Sequence, residues 1–539
     1  MEMTALTTGT SSMMIWEPTG DISPKRAGEV VCSFLDTATT SMGRATHYNT
    51  REEQQAAELE VHQDLLDMSR DLYTVMLALP GVTDRSVQVG TRALLSSSRN
   101  GSADEFLTPT MERAVLYHLI QALPVPRMMR LIQAFRIGSE QLGLRRANNS
   151  RTRKLVLRTL LGSPRLQLWS VKYRRKMRDA FVHAWGKKDS SIIRAILSKD
   201  GRTRTQPERA ILRKEIARFA GDSNFKQACE CVGFVLGVRD RLSLPLFKAF
   251  EAAKTNLKDG ARLPMEVLEG IRSVFHGDVA KDDVLRLAVK KGSLTSHQRM
   301  AVQKRAKGAD VEVKMDPTQY DAVKLYIYAF EMGADNKIMD ALDQKAQKAA
   351  ARFPTRYGKV GIVVDASASM AGHRTQKLRP MAATLALRDM LQHVGDEHVT
   401  QYVGGRRIGD WKDPVQPMGD TALADGFIEV LEAKPDVVFV LSDGYENAPA
   451  GRFAEVMGQV RDIGIETPVY HLNPVFASES KGVRELDAGR VPTMPVKTPA
   501  ALGTTIIRGL IENEPLTGIN ALVRIALTSG PVEMRPLLK

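Results

Sequence analysis

The sequence predicts an α + α/β fold: a helical-repeat array followed by a doubly wound domain with a mainly parallel sheet. Two observations carry that prediction. Residues 51–350 hold a succession of short stretches with helical apolar spacing and no convincing alternating strand. After Pro354 the text changes to apolar runs that end in an acid or a hydroxyl, separated by helical stretches. The charge divides along the same line. Residues 151–250 carry 24 Lys and Arg against 8 Asp and Glu, a net of +16. Residues 351–539 carry 21 against 22, a net of −1.

The organisation expected is an N-terminal arm over residues 1–50, helical repeats over 51–353 and the α/β domain over 354–539. The arm is rich in Ser, Thr and Gly without a sustained period, so loose order is expected, with Met13 to Trp16 able to dock. Helices follow at 51–79, 87–97, 109–123, 125–142, 151–161, 172–185, 190–197, 206–220 and 263–275. A second group lies at 281–289, 296–307, 317–331 and 337–351. Thr108-Pro109 and Asp316-Pro317 each set proline at a first helical position. Short helices that each bury one stripe must stack on neighbours, which favours a solenoid-like array over a bundle. Strands are expected at Lys359–Asp365, Asp436–Ser442 and Thr467–Leu472, with helices at Lys377–His393, Ala422–Ala433 and Gly451–Ile463. That alternation means a parallel sheet covered on both faces, with function at the carboxyl ends of its strands.

The totals exclude several classes. The chain has 539 residues, 43% of them hydrophobic and 26% charged, which excludes wholesale disorder. Three cysteines, Cys32, Cys229 and Cys231, exclude a disulfide framework and a thiolate zinc cluster, and read as core thiols. No apolar run approaches the roughly 18–20 residues that span a bilayer, and the first residues lack the basic stretch of a secretory signal. The expectation is a soluble cytoplasmic protein with no membrane partner.

The carboxyl ends of the strands carry oxygen donors. The first run ends in Asp365-Ala-Ser367-Ala-Ser369, a loop supplies Thr421, and the second run ends in Ser442-Asp443. Two carboxylates and three hydroxyls are hard ligands that suit Mg²⁺, or another divalent cation such as Mn²⁺ or Ca²⁺, rather than zinc. The D-x-S-x-S spacing lets one tight turn aim three side chains at one point. These residues resemble the metal-ion-dependent adhesion site (MIDAS) of von Willebrand factor A domains. The resemblance implies Ser367, Ser369 and Thr421 as direct ligands, with Asp365 and Asp443 supporting. A hydrolase would need a positioned base, and nothing in the sequence sets His373 in that role. The expectation is a non-enzymatic protein.

The positive charge lies on helices. Arg145, Arg146, Arg151, Arg153, Lys154 and Arg158 cluster in one stretch; Lys172, Arg174, Arg175, Lys176, Arg178, Lys187 and Lys188 in a second; Arg202 and Arg204 follow. Lys and Arg neutralise phosphates irrespective of sequence, so these are the candidate RNA contacts. On a 3.6 period Tyr173, Met177, Ala180, Phe181 and Ala184 share the opposite, core face.

Helices with a basic face that lead directly into an A domain resemble the Ro (TROVE) family. The junction carries the resemblance: Asp316-Pro-Thr-Gln-Tyr-Asp-Ala-Val-Lys-Leu-Tyr-Ile-Tyr-Ala-Phe-Glu-Met-Gly333, then Ile338-Met-Asp-Ala-Leu-Asp343, then Asp365-Ala-Ser-Ala-Ser-Met370. The resemblance implies HEAT-like repeats closed into a ring, binding of misfolded RNA by a single-stranded end, binding of Y RNA in a ribonucleoprotein, and cooperation with a ribonuclease. The chain lacks the family's histidine-bearing motif for Y RNA contact. The alternative reading is a metal-dependent scaffold that recruits an acidic protein ligand at the ion.

Overall fold

The computed structural model describes residues 15–99, 106–137, 146–351, 353, 355–374, 377–409, 411, 413–497 and 502–538. They form two compact units, one joining Met1–Leu119 to Tyr320–Lys539 and the other Ile120–Gln319. The helical stretch expected over 51–353 is thus divided: its first and last parts belong with the sheet.

In the first unit, seven strands run in chain order: β1 Tyr357–Asp365, β2 Gly395–Val403, β3 Val437–Leu441, β4 Val469–Asn473, β5 Phe476–Ala477, β6 Gly482–Val483 and β7 Thr493–Pro495. Five make one sheet in the order β2-β1-β3-β4-β7, and every pair in it is parallel. β5 and β6 form a separate antiparallel pair. β3 is buried along its whole length, as expected for a strand covered on both faces. Phe427, Phe453, Val438 and Val440 fill one of the flanking cores. β2 was not expected. It is an edge strand reading Gly-Asp-Glu-His-Val-Thr-Gln-Tyr-Val, too polar to show an apolar run. The chain reverses direction across the sheet between β1 and β3, so their carboxyl ends open a crevice.

Within residues 15–50 the chain forms a helix where the sequence shows no sustained period. Ser23 caps a helix at Pro24–Thr40, its Oγ accepting from Arg26 N at 3.2 Å. Val31, Phe34, Leu35 and Ala38 of that helix are fully buried. Its polar residues hid it, because Thr37, Thr39 and Thr40 are buried beside the apolar ones and the solvent face of Lys25, Arg26 and Glu29 does not continue into the second half. Trp16 docks as expected: its N–H donates to Asn520 Oδ1 at 2.9 Å, and Asn520 Nδ2 donates back to the Trp16 carbonyl at 2.9 Å. Met13 and Met14 lie outside the described residues. The helix expected at 51–79 breaks at Ser69, which is extended and caps Arg70–Met76.

Buried ion pairs fix this unit. Arg70 meets Glu112 at 2.8 Å, Arg508 meets Asp36 at 2.9 Å, and Arg388 meets Asp389 at 2.5 Å and Asp413 at 2.6 Å. Arg388 also donates to Tyr326 Oη at 3.2 Å, tying the helix Ala322–Met332 to the sheet's flanking helix Arg379–Gln392. Asp321, not Pro317, caps Ala322–Met332; Pro317 opens a 3₁₀ turn instead.

The second unit is helical throughout its described residues. Helices span Val125–Arg136, Ser150–Leu161, Leu166–Lys172, Arg174–Trp185 and Lys187–Ser198, then eight further α-helices up to Gly308 among the described residues, with a π-helical turn at Arg213–Ala217. Two of them, Phe225–Leu236 and Pro245–Thr255, were not expected, since Ala228 to Leu236 is almost wholly buried and shows no polar stripe. Met177, Ala180, Phe181 and Ala184 are buried, as the 3.6 spacing predicts, and Phe181 stacks on Trp185 at 5.0 Å. Cys229 and Cys231 are free, buried thiols pushed up to about 12 by burial. Among the described residues no helix is long and apolar enough to cross a membrane.

Candidate functional site

Four of the five expected ion ligands, Asp365, Ser367, Ser369 and Asp443, meet at the β1/β3 crevice. In the sheet register Val364 pairs with Leu441, so Asp365 and Ser442 follow side by side at the strand ends. Ser442 Oγ donates to Asp365 Oδ2 at 2.7 Å and accepts from Gly444 N at 3.0 Å. Ser367 N donates to Asp365 Oδ1 at 2.9 Å, which folds D-x-S-x-S into a turn and leaves Ser367 Oγ 3.2 Å from Ser369 Oγ. Ser369 hydrogen-bonds to Asp443, and Tyr445 N donates to Asp443 Oδ1 at 3.2 Å. All five expected ligands are buried.

Thr421 sits on the adjacent loop. Ala368 N donates to the Gly419 carbonyl at 3.1 Å, and Met418 N to the Ala366 carbonyl at 3.0 Å, which lays that loop along the D-x-S-x-S turn. Thr421 N donates to Asn447 Oδ1 at 2.7 Å, a lock the sequence reading missed. Glycine is required at the crossing. Gly404 has φ +70°, and a Cβ there would sit 2.8 Å from the Met418 carbonyl oxygen.

The electrostatics are those of two acids buried side by side. Burial drives the Asp443 carboxyl up to about 7, the charge of Asp365 adds to the rise, and hydrogen bonds from Ser369 and Tyr445 N oppose it. Burial raises Asp365 as well, against the bonds from Ser367 and Ser442. Two carboxylates sharing one dry crevice resist joint ionisation until positive charge arrives. Among the described residues no three His, Cys, Asp or Glu side chains gather at one point, so an ion here would rely on hydroxyls beside the two acids. That donor set fits a hard cation. Beneath the site His471 is fully buried and lowered to about 4 by burial. Its Nε2 lies 3.1 Å from the Ser442 carbonyl and its Nδ1 3.0 Å from Thr493 Oγ1, holding the end of β3 in place.

The N-terminal segment completes the rim. Tyr48 stacks on Tyr445 with ring centroids 3.8 Å apart and hydrogen-bonds to Ser369. Asn49 Nδ2 donates to Glu479 Oε2 at 2.8 Å, and Arg484 lies 4.4 Å over the Tyr445 ring. No sequence signal joins Tyr48 to residues some 400 positions away. His373 lines the cleft beside Ser369.

No family model matches the chain, and no curated protein compared with it does either.

In the helical unit, an open groove is lined by Arg136, Arg178, Lys187 and Arg194, with Asp179 as the one carboxylate and His183 among the lining residues. His183 is lowered by burial and by the charges of Arg153 and Arg136. Arg178 and Lys187 are thus the expected contacts that line the groove, and Arg153 acts on it through His183. Arg136 and Arg194 were missed because each stands outside the dense basic runs. Arg146, Lys154, Arg158, Arg175, Lys188 and Arg202 are exposed, and Arg151 and Lys176 half-buried. Arg145 lies outside the described residues.

Three of the expected contacts have partners within the chain. Lys172 pairs with Glu266 at 2.9 Å. The Arg174 guanidinium lies 5.1 Å over the Phe250 ring. Arg204 donates to the carbonyls of Ile196 at 3.1 Å and Lys199 at 3.2 Å, closing the end of the helix Lys187–Ser198.

Proposed function

We propose that the chain is a Ro-like RNA-binding protein that holds small non-coding or misfolded RNAs and serves RNA quality control or processing. The finer reading of the fold goes with it: the helices of 120–319 are HEAT-like repeats, and the sheet belongs to a von Willebrand A-type domain. The groove with four cations against one carboxylate carries the reading. Phosphate neutralisation by such side chains dominates nucleic-acid affinity, and arginine also stacks on unpaired bases. The ion site has a separate part. Ser367, Ser369 and Thr421 coordinate Mg²⁺, and Asp365 and Asp443 balance its charge.

The test is fluorescence anisotropy with a structured RNA bearing a single-stranded end. Arg178→Glu and Arg194→Glu are each expected to weaken binding roughly tenfold, since each turns an attraction into a repulsion. Undiminished affinity in both variants refutes the reading. The alternative, recruitment of an acidic protein at the ion, draws on the cleft beside Ser369 and Asp443. It predicts a protein partner that is captured in Mg²⁺ and lost in EDTA.

A further inference from the structure

Resting on the ion reading above, we infer that Tyr48 caps the ion site from within the chain: its hydroxyl positions Ser369 and closes the entrance that a carboxylate from another protein would need. Ser369 is 5% exposed and Asp443 2%, whereas Tyr48 is 44% exposed. All three line one cleft. The Tyr48 hydroxyl bonds to Ser369 and lies close enough to Asp443 and Asp365 to feel both charges. Tyr48 is therefore the outer layer of the site, with its hydroxyl toward the acids and the rest of the side chain toward solvent. A phenol oxygen is a hard donor of the same kind as the hydroxyls of Ser367 and Ser369. An outer partner of this sort orients a ligand toward its ion.

The segment that carries Tyr48 is pinned on both sides. Thr46 N donates to the Asn49 carbonyl at 3.0 Å and Asn49 N to Thr46 Oγ1 at 3.1 Å, so residues 46–49 close a tight turn. The Asn49 side chain fixes that turn to the segment 476–479. Its Nδ2 donates to Glu479 Oε2 at 2.8 Å, and its Oδ1 accepts from Gln54 Nε2 at 3.0 Å and from Ser478 N at 3.3 Å. Gln54 is buried and also donates to the Phe476 carbonyl at 2.9 Å. After the turn, Thr50 opens the helix Arg51–Met68 with a reciprocal capping box. Before it, Gln55 Nε2 donates to the Gly43 carbonyl at 2.9 Å. The ring is held as well. It stacks on Tyr445 with the planes 27° apart, and the edge of His47 meets it at 4.7 Å. Tyr445 N donates to Asp443, so the stack ties the turn to the loop that carries the acid. These bonds set the phenol in place before any ion arrives. A partner's carboxylate must then displace an ordered turn rather than a water.

Calorimetric titration of Mg²⁺ into the full chain tests the positioning role. Tyr48→Phe keeps the stacked ring and removes the hydroxyl; Mg²⁺ affinity should fall about tenfold, with the melting temperature in EDTA unchanged. Tyr445→Phe removes a hydroxyl bonded to Glu479 and should leave Mg²⁺ affinity within about twofold of wild type. Closure is tested with a labelled pentaglutamate peptide, read by anisotropy at saturating Mg²⁺. The peptide should bind Tyr48→Ala, be released by EDTA, and fail to bind the wild type. Tyr48 is exposed on a turn, so these variants keep the fold. A Tyr48→Phe affinity for Mg²⁺ within about twofold of wild type, or a wild type that binds the peptide as tightly as Tyr48→Ala, overturns the inference and leaves the ion reading standing. A wild type that binds no Mg²⁺ overturns the ion reading, and the inference with it.

Discussion

Replacing Asp443 by Asn removes one of two carboxylates that share the crevice, and the consequence follows from the proton balance. In the ion-free fold burial, with the charge of Asp365 beside it, holds the Asp443 carboxyl well above 3.8, the value of an unperturbed aspartate. Between that value and the raised one the unfolded chain has released a proton that the folded chain still holds. Folding stability is therefore greatest at the acid end of this window and falls as pH rises through 7. Each tenfold change in proton affinity is worth about 1.4 kcal/mol, so the loss shared by the Asp365–Asp443 pair is on the order of a few kcal/mol, most of it between pH 5 and 8. Urea denaturation in EDTA across that range should show the decline in the wild type. Asp443→Asn should flatten it and be the more stable protein at pH 8. Mg²⁺ should restore the wild type at pH 8 and leave the variant unmoved. A wild type as stable in EDTA at pH 8 as at pH 5 would refute the reasoning.

Three further outcomes are expected. Asn447→Ala frees the loop that carries Thr421 and should weaken Mg²⁺ binding about 10–100-fold by calorimetry, with little change in ion-free stability. Arg388→Ala leaves Asp389 unpaired in a buried network and should cost about 3–5 kcal/mol in chemical denaturation. Arg204→Ala should leave RNA affinity within about twofold of wild type while lowering the melting temperature, because its guanidinium is spent on backbone carbonyls.

The meeting of Asp365, Ser367, Ser369 and Asp443 was legible because they lie in short motifs at the ends of apolar strands. D-x-S-x-S and Ser442-Asp443 need only a parallel sheet to meet, and β1 and β3 pair as their apolar runs imply. What fixes those donors was hidden. Asn447, His471 and Tyr48 come from elsewhere in the chain and carry no pattern of their own. β2 escaped because an edge strand need not be apolar, and the helix Pro24–Thr40 because its second half, Phe34 to Thr40, is buried throughout and includes three threonines. Charge density located the basic region but not its contacts. Arg174, Lys172 and Arg204 sit in the densest runs and are spent on Phe250, Glu266 and helix carbonyls. Arg136 and Arg194 stand apart in sequence and line the groove. Density counts charges along the chain, whereas a groove collects them from separate helices.

The salt dependence of RNA binding tests the central claim most directly. Four groove cations that each release counterions from single-stranded RNA give a log–log slope of about −3, at roughly −0.7 per neutralised phosphate. Arg194→Gln should reduce the slope by about 0.7 and weaken binding equally for unrelated RNA sequences. A slope near zero, or a slope that Arg194→Gln leaves unchanged, would contradict the assignment of the groove as the RNA-binding surface.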